Sequence, residues 1–131
     1  MGTELLLGDI VNTNAAFIAR ELARIGVNVY HQSVVGDNPG RLKEALSAAL
    51  GRCDLVVTTG GLGPTYDDLT KETVAQLFGL PMERNEESLS SIQAFFDKVG
   101  RPMTENNKKQ ALLPKGAYPL QNRNGTAPGV I

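Results

Sequence analysis

Tryptophan is absent from the sequence, cysteine and histidine occur once each, and aromatic residues make up only 5% of it. A single cysteine, Cys53, cannot close an internal disulfide, and His31 has no second histidine with which to build a metal pair. Both are expected to be structural. So few rings argue against a surface that stacks exposed bases, and a formal net charge of -1 offers no basic footprint for nucleic acid. No apolar run approaches the roughly 20 residues that span a bilayer, and the N-terminus does not read as a signal peptide. Neither nucleic acid nor membrane is therefore an expected partner, and the cytoplasm is the expected compartment. With 131 residues, of which 41% are apolar, the chain suits one domain, residues 1–131.

What is present alternates. Val11, Ala15, Ile18, Leu22 and Ile25 fall at steps of four and three, drawing one stripe along a helix that Gly26 stops. The segment VNVYHQSVVG switches to β-branched residues and short-period alternation. Asn38-Pro39 then starts a second helix that carries Leu42, Ala45, Leu46, Ala49 and Leu50. CDLVVTT is a short apolar run of the kind buried on both faces of a parallel sheet. A helix from Leu69 to Phe78 ends at Gly79, and Leu89, Ile92, Phe96 and Val99 mark a fourth stripe closed by Gly100. The polar stretch TENNKKQALL reads as a shorter helix ending at Pro114. Strands separated by helices predict an α/β sandwich with a mainly parallel sheet. MGTELLLGD opens in loop-like sequence and APGVI stops as a strand begins, which reads as a fragment of a longer protein.

Four clusters carry chemistry. The first is TTGGLGPTYDDLT, residues 58–70, which joins a strand end to a helix start, the place where open α/β sheets bind ligands. Its glycines let backbone N–H groups approach an anion, and the helix N-terminus adds partial positive charge. It is not a Walker loop, since no Gly-Lys-Ser/Thr follows, and Tyr66 stands where a dinucleotide fingerprint needs its third glycine. Taken blandly, the stretch is a tight turn with Asp67 or Asp68 as helix cap. One cap needs only one aspartate, and a second acid at a phosphate loop fits a bridging divalent cation or an acid that positions a nucleophile. The second cluster is GTELLLGDIVNTN, with Glu4 and Asp9 before Asn12, Thr13 and Asn14; capping by Asn12 or Thr13 accounts for one of these and leaves Asn14. The third is Gly36 to Asn38, in which Asp37 is the informative residue because Asn38-Pro39 is an ordinary helix start. The fourth, NRNGTAPG, offers Asn124, Gly125, Thr126 and Gly129 as a backbone nest for an anion, although such a stretch is more often a plain turn.

Taken in order, GTELLLGDIVNTN, VVGDN, TTGGLGPTYDDLTKET, NNKKQALLP and NGTAPG closely resemble the N-terminal domain of the competence/damage-inducible (CinA) family, within the superfamily of molybdopterin-binding domains. The resemblance spans nearly the whole chain, and the Gly-Gly-x-Gly loop with Asp68-x-Thr70, together with Gly-Thr-Glu and Asn12/Asn14, makes it specific. It implies a three-layer α/β/α domain with a mixed, mainly parallel sheet. It implies hydrolysis of the pyrophosphate of ADP-ribose or a related nucleotide, dependent on a divalent metal (Mg, Mn or Co) and aided by potassium. The family's nicotinamide-mononucleotide deamidase domain lies outside these 131 residues. Superfamily members of molybdenum-cofactor synthesis adenylylate a pterin or insert metal into it, using acids that match Asp37 and Asp68. On this resemblance Asp68 and Asp37 are the catalytic candidates, and Glu4 and Asp68 the metal ligands. Gly60, Gly61, Gly63, Thr65, Thr70, Asn12, Asn14, Asn124, Gly125 and Thr126 then hold the substrate, with the loop expected near Asp37 and the Asn12–Asn14 turn. The alternative is a module that binds a pterin or nucleotide without turnover. A homodimer or homotrimer is implied as well. Family members usually carry an apolar strand before the Gly-Thr-Glu and a strand leading to Pro-Gly-Pro-Pro, and this sequence shows neither.

Overall fold

Two asparagines and a proline set the first helices. The structure, a computed structural model, describes residues 1–131, which divide into two units, residues 1–59 and 60–131, each described by itself. In the first unit, α1 is Thr3–Leu7, α2 is Thr13–Arg24 and α3 is Pro39–Leu50. The Asn12 carboxamide oxygen accepts the Ala15 N–H at 3.0 Å and the Asn38 oxygen accepts that of Arg41 at 3.0 Å, each meeting a helix donor that has no partner inside the helix. Pro39 begins α3 where a missing N–H costs nothing. One expectation is corrected: Thr3–Leu7 is a short helix and not a loop, closed by Gly8 in the left-handed region at φ 81°. A run of leucines with no β-branched neighbour allows the helix, and its five residues are too few to show a period.

Leu42 and Leu46, one turn apart on α3, are the buried apolar side chains of this unit, at 7% and 6% exposure. The segments 27–36 and 53–59, expected as strands, run outside any helix or ladder. Both border a groove of about 460 Å³, which Ile18, Leu22, Val27, Val29, Leu55 and Val57 help to line. The alternation of 27–36 turns an apolar face to this groove instead of to a sheet, and the run 53–59, expected to be buried on both faces, is corrected: Leu55 and Val57 are 55% and 51% exposed. The chain start meets the ends of both segments: the Gly2 N–H donates to the Val35 carbonyl at 3.1 Å and the Met1 ammonium to the Thr59 carbonyl at 2.5 Å.

The second unit contains α4 (Thr70–Phe78), β1 (Met82–Arg84), α5 (Glu86–Lys98), α6 (Glu105–Lys108), a 3₁₀ turn (Lys109–Ala111), β2 (Leu112–Pro114), β3 (Pro119–Leu120) and β4 (Gly129–Val130). Its ladders are short and antiparallel. Met82 pairs with Pro114 and Arg84 with Leu112, and Pro119 pairs with Val130. The parallel ladder that alternation suggested is not formed between these strands. Ala75, Ile92, Ala111 and Leu113 make the core, with Ile92 only 1% exposed. Gly79, at φ 64°, ends α4 as its sequence demands. Asn85 caps α5 by accepting the Ser88 N–H at 2.8 Å, with Glu86 and Glu87 in the first turn and Lys98 in the last, all favourable to the helix dipole. Asn85→Ala is expected to cost about 1 kcal/mol, read as a lower urea midpoint at unchanged slope. No helix is long and apolar enough to cross a membrane.

Candidate functional site

The glycine loop turns on two successive left-handed residues, Gly60 at φ 88° and Gly61 at φ 66°, a conformation that side chains of L-residues resist. This bend returns the chain to the start of α4. The Thr70 N–H donates to the Gly61 carbonyl at 3.1 Å, and the Thr70 hydroxyl donates to the Gly60 carbonyl at 2.8 Å. Further along, Asp68 Oδ2 accepts the Thr65 N–H at 2.9 Å and the Thr65 hydroxyl at 2.5 Å. Asp67 Oδ1 lies within hydrogen-bond reach of the same hydroxyl. A hydroxyl has one proton to donate, so two carboxylates converge on one donor.

Neither acid caps α4. The cap position is Leu69, with no side-chain bond to the helix, which corrects the turn-and-cap reading of Asp67 and Asp68. The physical reason is that the Asp68 carboxylate points back into its own loop, over Gly63, where an added Cβ would lie 2.4 Å from Oδ2. Burial pushes the Asp68 carboxyl up. The Thr65 hydroxyl, the backbone N–H groups of Thr65 and Gly63, and the charge of Lys109 outweigh that and hold it below the ordinary carboxylate value. Asp68 is thus an anion at neutral pH.

Two lysines complete this side of the unit, and the sequence reading missed their roles. The Lys109 ammonium donates to the carbonyls of Thr65 at 3.2 Å and Asp68 at 2.9 Å and pairs with Glu72 at 3.3 Å. Lys71, only 4% exposed, donates to the Gln110 carbonyl at 2.6 Å. Burial lowers the Lys71 ammonium from 10.5 to about 8, with Lys109 adding to the fall and Glu72 opposing it. The motifs TKET and NNKKQ contain both residues, but only the fold brings positions 109 and 65 together.

Lys71 makes stability depend on pH. Below about pH 8 the folded and unfolded chains both hold its proton, so the cost of burying the ammonium is fully present. Between about 8 and 10.5 the unfolded chain holds a proton that the folded chain has released, so stability rises with pH. The gain is expected to be about 2 kcal/mol, allowing for the part of the group that water still screens. Urea unfolding at pH 7.5 and 10 reads it as a difference between the native chain and Lys71→Met, in which this rise should vanish.

The remaining sequence candidates fall in several places. Asp37, exposed, accepts the N–H and the hydroxyl of Thr3 at 2.9 and 3.0 Å, so it anchors the start of α1 across 34 residues. Glu4 is exposed and lies back over Gly2. Asn12 is spent as a helix cap, and Asn14 is exposed in the first turn of α2. These four belong to the first unit, and the loop to the second. Asn124 donates its N–H to the Asn122 side chain at 2.9 Å, while Gly125 and Thr126 line a groove beside α5. None of residues 124–126 has a positive φ, so the turn is not a nest of the kind that alternates right- and left-handed residues.

Nowhere do three His, Cys, Asp or Glu side chains gather as a ready metal cage. The oxygens of Asp67, Asp68 and Thr65 do fit a cation such as Mg²⁺, which takes one or two protein carboxylates and leaves the rest of its shell to phosphate and water.

Comparison with known proteins shows what the chain is similar to. A family model described as "Probable molybdopterin binding domain" matches residues 1–131. The chain is 60% identical to a "Putative competence-damage inducible protein" of Acetivibrio thermocellus and 58% identical to one of Clostridioides difficile, each over 131 residues. Those matches take in 100% of this chain and 32% and 31% of the relatives, so the chain spans about a third of the length of the curated relatives it matches. A crystal structure described as the protein CinA with unknown function, from Thermoplasma acidophilum, superposes with a TM-score of 0.88 at 41% identity, over 99% of this chain and 76% of that one. That superposition establishes the α/β fold expected from the sequence, even though the ladders within these residues are short. On a match over its full length, the chain belongs to the molybdopterin-binding domain family, on the side of its competence-damage inducible members.

Proposed function

We propose that the loop 60–70 is the phosphate-holding part of a metal-dependent hydrolase site that cleaves the pyrophosphate bond of ADP-ribose or a related nucleotide. The observation that carries this reading is the Asp68 carboxylate, kept ionised by Thr65, Gly63 and Lys109 at the mouth of a loop bent by two left-handed glycines. In this reading the Gly60–Gly63 backbone orients phosphate oxygens, and Asp68 with Asp67, both met by the Thr65 hydroxyl, holds the cation. A bound divalent ion would supply charge neutralisation at the phosphates and lower the pKa of water. Lys109, by bonding the carbonyls of Thr65 and Asp68, fixes the turn from which both acids project. Asp37 and Glu4 belong to the other unit, and the proposal rests on residues 60–70 and 109 alone.

A second reading, a pterin or nucleotide module without turnover, draws support from the description of the matched family and from the missing third acid. One experiment separates the two. AMP release from ADP-ribose is followed with Mg²⁺, Mn²⁺ or Co²⁺, with and without potassium, and with a chelator. Release that stops on chelation supports the hydrolase. Nucleotide or pterin binding without release supports the module and overturns the hydrolase, and the absence of both binding and release would leave the loop without the role proposed.

A further inference from the structure

Lys109 is held from three sides. Its ammonium donates to the carbonyls of Thr65 and Asp68 at 3.2 and 2.9 Å and meets Glu72 Oε1 at 3.3 Å, so three acceptors share the three N–H groups that an ammonium carries. The two carbonyls belong to the turn that presents Asp67 and Asp68. Glu72 stands outside that turn, in the first turn of α4.

An ordinary role is open to Glu72. An acid in the first turn of a helix meets a favourable dipole, and its pair with Lys109, two side chains 23% and 29% exposed, adds modestly to stability. Such a role takes no account of what the loop binds, and the charges around the loop do. Against the burial that pushes the Asp68 carboxyl up, the charge of Lys109 helps to hold it down. The same positive charge repels any cation that Asp67 and Asp68 would hold. Lys109 therefore acts in two opposed ways: its N–H groups pin the carbonyls from which the acids project, and its charge opposes the ion those acids would take. Lys71 adds a second ammonium, anchored on the carbonyl of Gln110, the residue after Lys109. Asp67, Asp68 and Glu72 set three negative charges against the two positive ones of Lys71 and Lys109, a net of -1. Without Glu72 this corner of the unit would be neutral. A carboxylate on Lys109 lets the N–H groups keep their hold while the charge is masked.

We propose that Glu72 is a positioning and charge-masking residue for a divalent cation at Asp67 and Asp68: it orients the Lys109 ammonium over the turn and cancels that ammonium's repulsion of the ion. The inference rests on the reading that the loop holds a cation and is independent of which bond the site cleaves.

Mn²⁺ alone is the probe, titrated into the whole chain without nucleotide and with the free ion read from its electron paramagnetic resonance signal. Glu72→Gln keeps an acceptor for Lys109 and removes the charge, so Mn²⁺ is expected to bind about tenfold more weakly while melting falls by a few degrees at most. Glu72→Asp keeps the charge and should bind within about threefold of the native chain. Glu72→Gln combined with Lys109→Gln should bind Mn²⁺ more tightly than Glu72→Gln alone, because the repelling ammonium is gone, whereas two losses of packing would weaken binding further. Equal Mn²⁺ affinity in the native and Glu72→Gln chains would overturn the proposal. So would a loss that Glu72→Asp shares in full, or one that the double variant deepens. A native chain that binds no Mn²⁺ would overturn both the cation reading of the loop and this inference. Mn²⁺ affinity that follows the charge at position 72, in a chain that releases no AMP from ADP-ribose, would support the inference and count against the hydrolase alone.

Discussion

Asp68→Asn is expected to lower metal-dependent AMP release from ADP-ribose about a hundredfold or more, the scale at which a positioned acid or base is lost. The substitution keeps size and one acceptor oxygen, so the bond from the Thr65 N–H can persist. What it removes is the negative charge that Lys109 and three hydrogen bonds maintain. Folding should suffer far less than turnover, with a loss on the order of 1 kcal/mol for a weakened charged hydrogen bond. Asp67→Asn should cost less activity, because Asp67 is exposed and reaches only the Thr65 hydroxyl. AMP release and thermal melting, measured side by side for the two variants, decide the matter. Near-normal turnover in Asp68→Asn would remove that residue from the mechanism.

The helices were legible because each carries its own stop and start. Asn12 and Asn38-Pro39 open α2 and α3 where the sequence placed them, and Gly79 and Gly100 follow α4 and α5 with positive φ. The stripes through Leu42 and Leu46 and through Ile92 found both buried positions of α3 and the centre of the second core. The segments 27–36 and 53–59 show what patterning leaves out. Alternation in 27–36 and a short apolar run in 53–59 report which residues favour burial, but a ladder also needs a neighbouring strand about 4.8 Å away, and that is a fact about other parts of the chain. The short helix α1 lay below the length at which a period can be read. At the loop, the glycines and Asp68 stood out in sequence, whereas the direction of the Asp68 side chain did not. Its choice of Thr65 over the helix end depends on the backbone bend at Gly60 and Gly61. Lys109 was hidden for a simpler reason: it lies 44 residues from the Thr65 carbonyl it bonds.

The glycines of the loop should separate folding from chemistry. At Gly61, φ is 66°, so any side chain pays for the left-handed region, about 1–2 kcal/mol. An added Cβ would also lie 2.3 Å from the Thr70 hydroxyl and 3.4 Å from the Thr70 Cβ. Thr70 is 3% exposed and β-branched, and its hydroxyl is committed to the Gly60 carbonyl, so it cannot swing aside without losing a partly buried hydrogen bond worth about 1 kcal/mol. Gly61→Ala is therefore expected to destabilise the chain by about 3 kcal/mol and to lower its melting temperature by about 10 °C. Gly63 differs on both counts. Its φ is not positive, and the three nearest atoms an added Cβ would meet all belong to the Asp68 carboxyl, with Oδ2 at 2.4 Å. Gly63→Ala can relieve that contact by turning a side-chain end, so melting should change by no more than about 1 kcal/mol. The carboxylate, however, is driven from the Thr65 N–H, and turnover of ADP-ribose should fall toward that of Asp68→Asn. A Gly63→Ala chain that melts and turns over like the native one would show that the position of Asp68 does not matter. A Gly61→Ala chain that melts normally would show that the Thr70–Gly60 bond does not hold the loop.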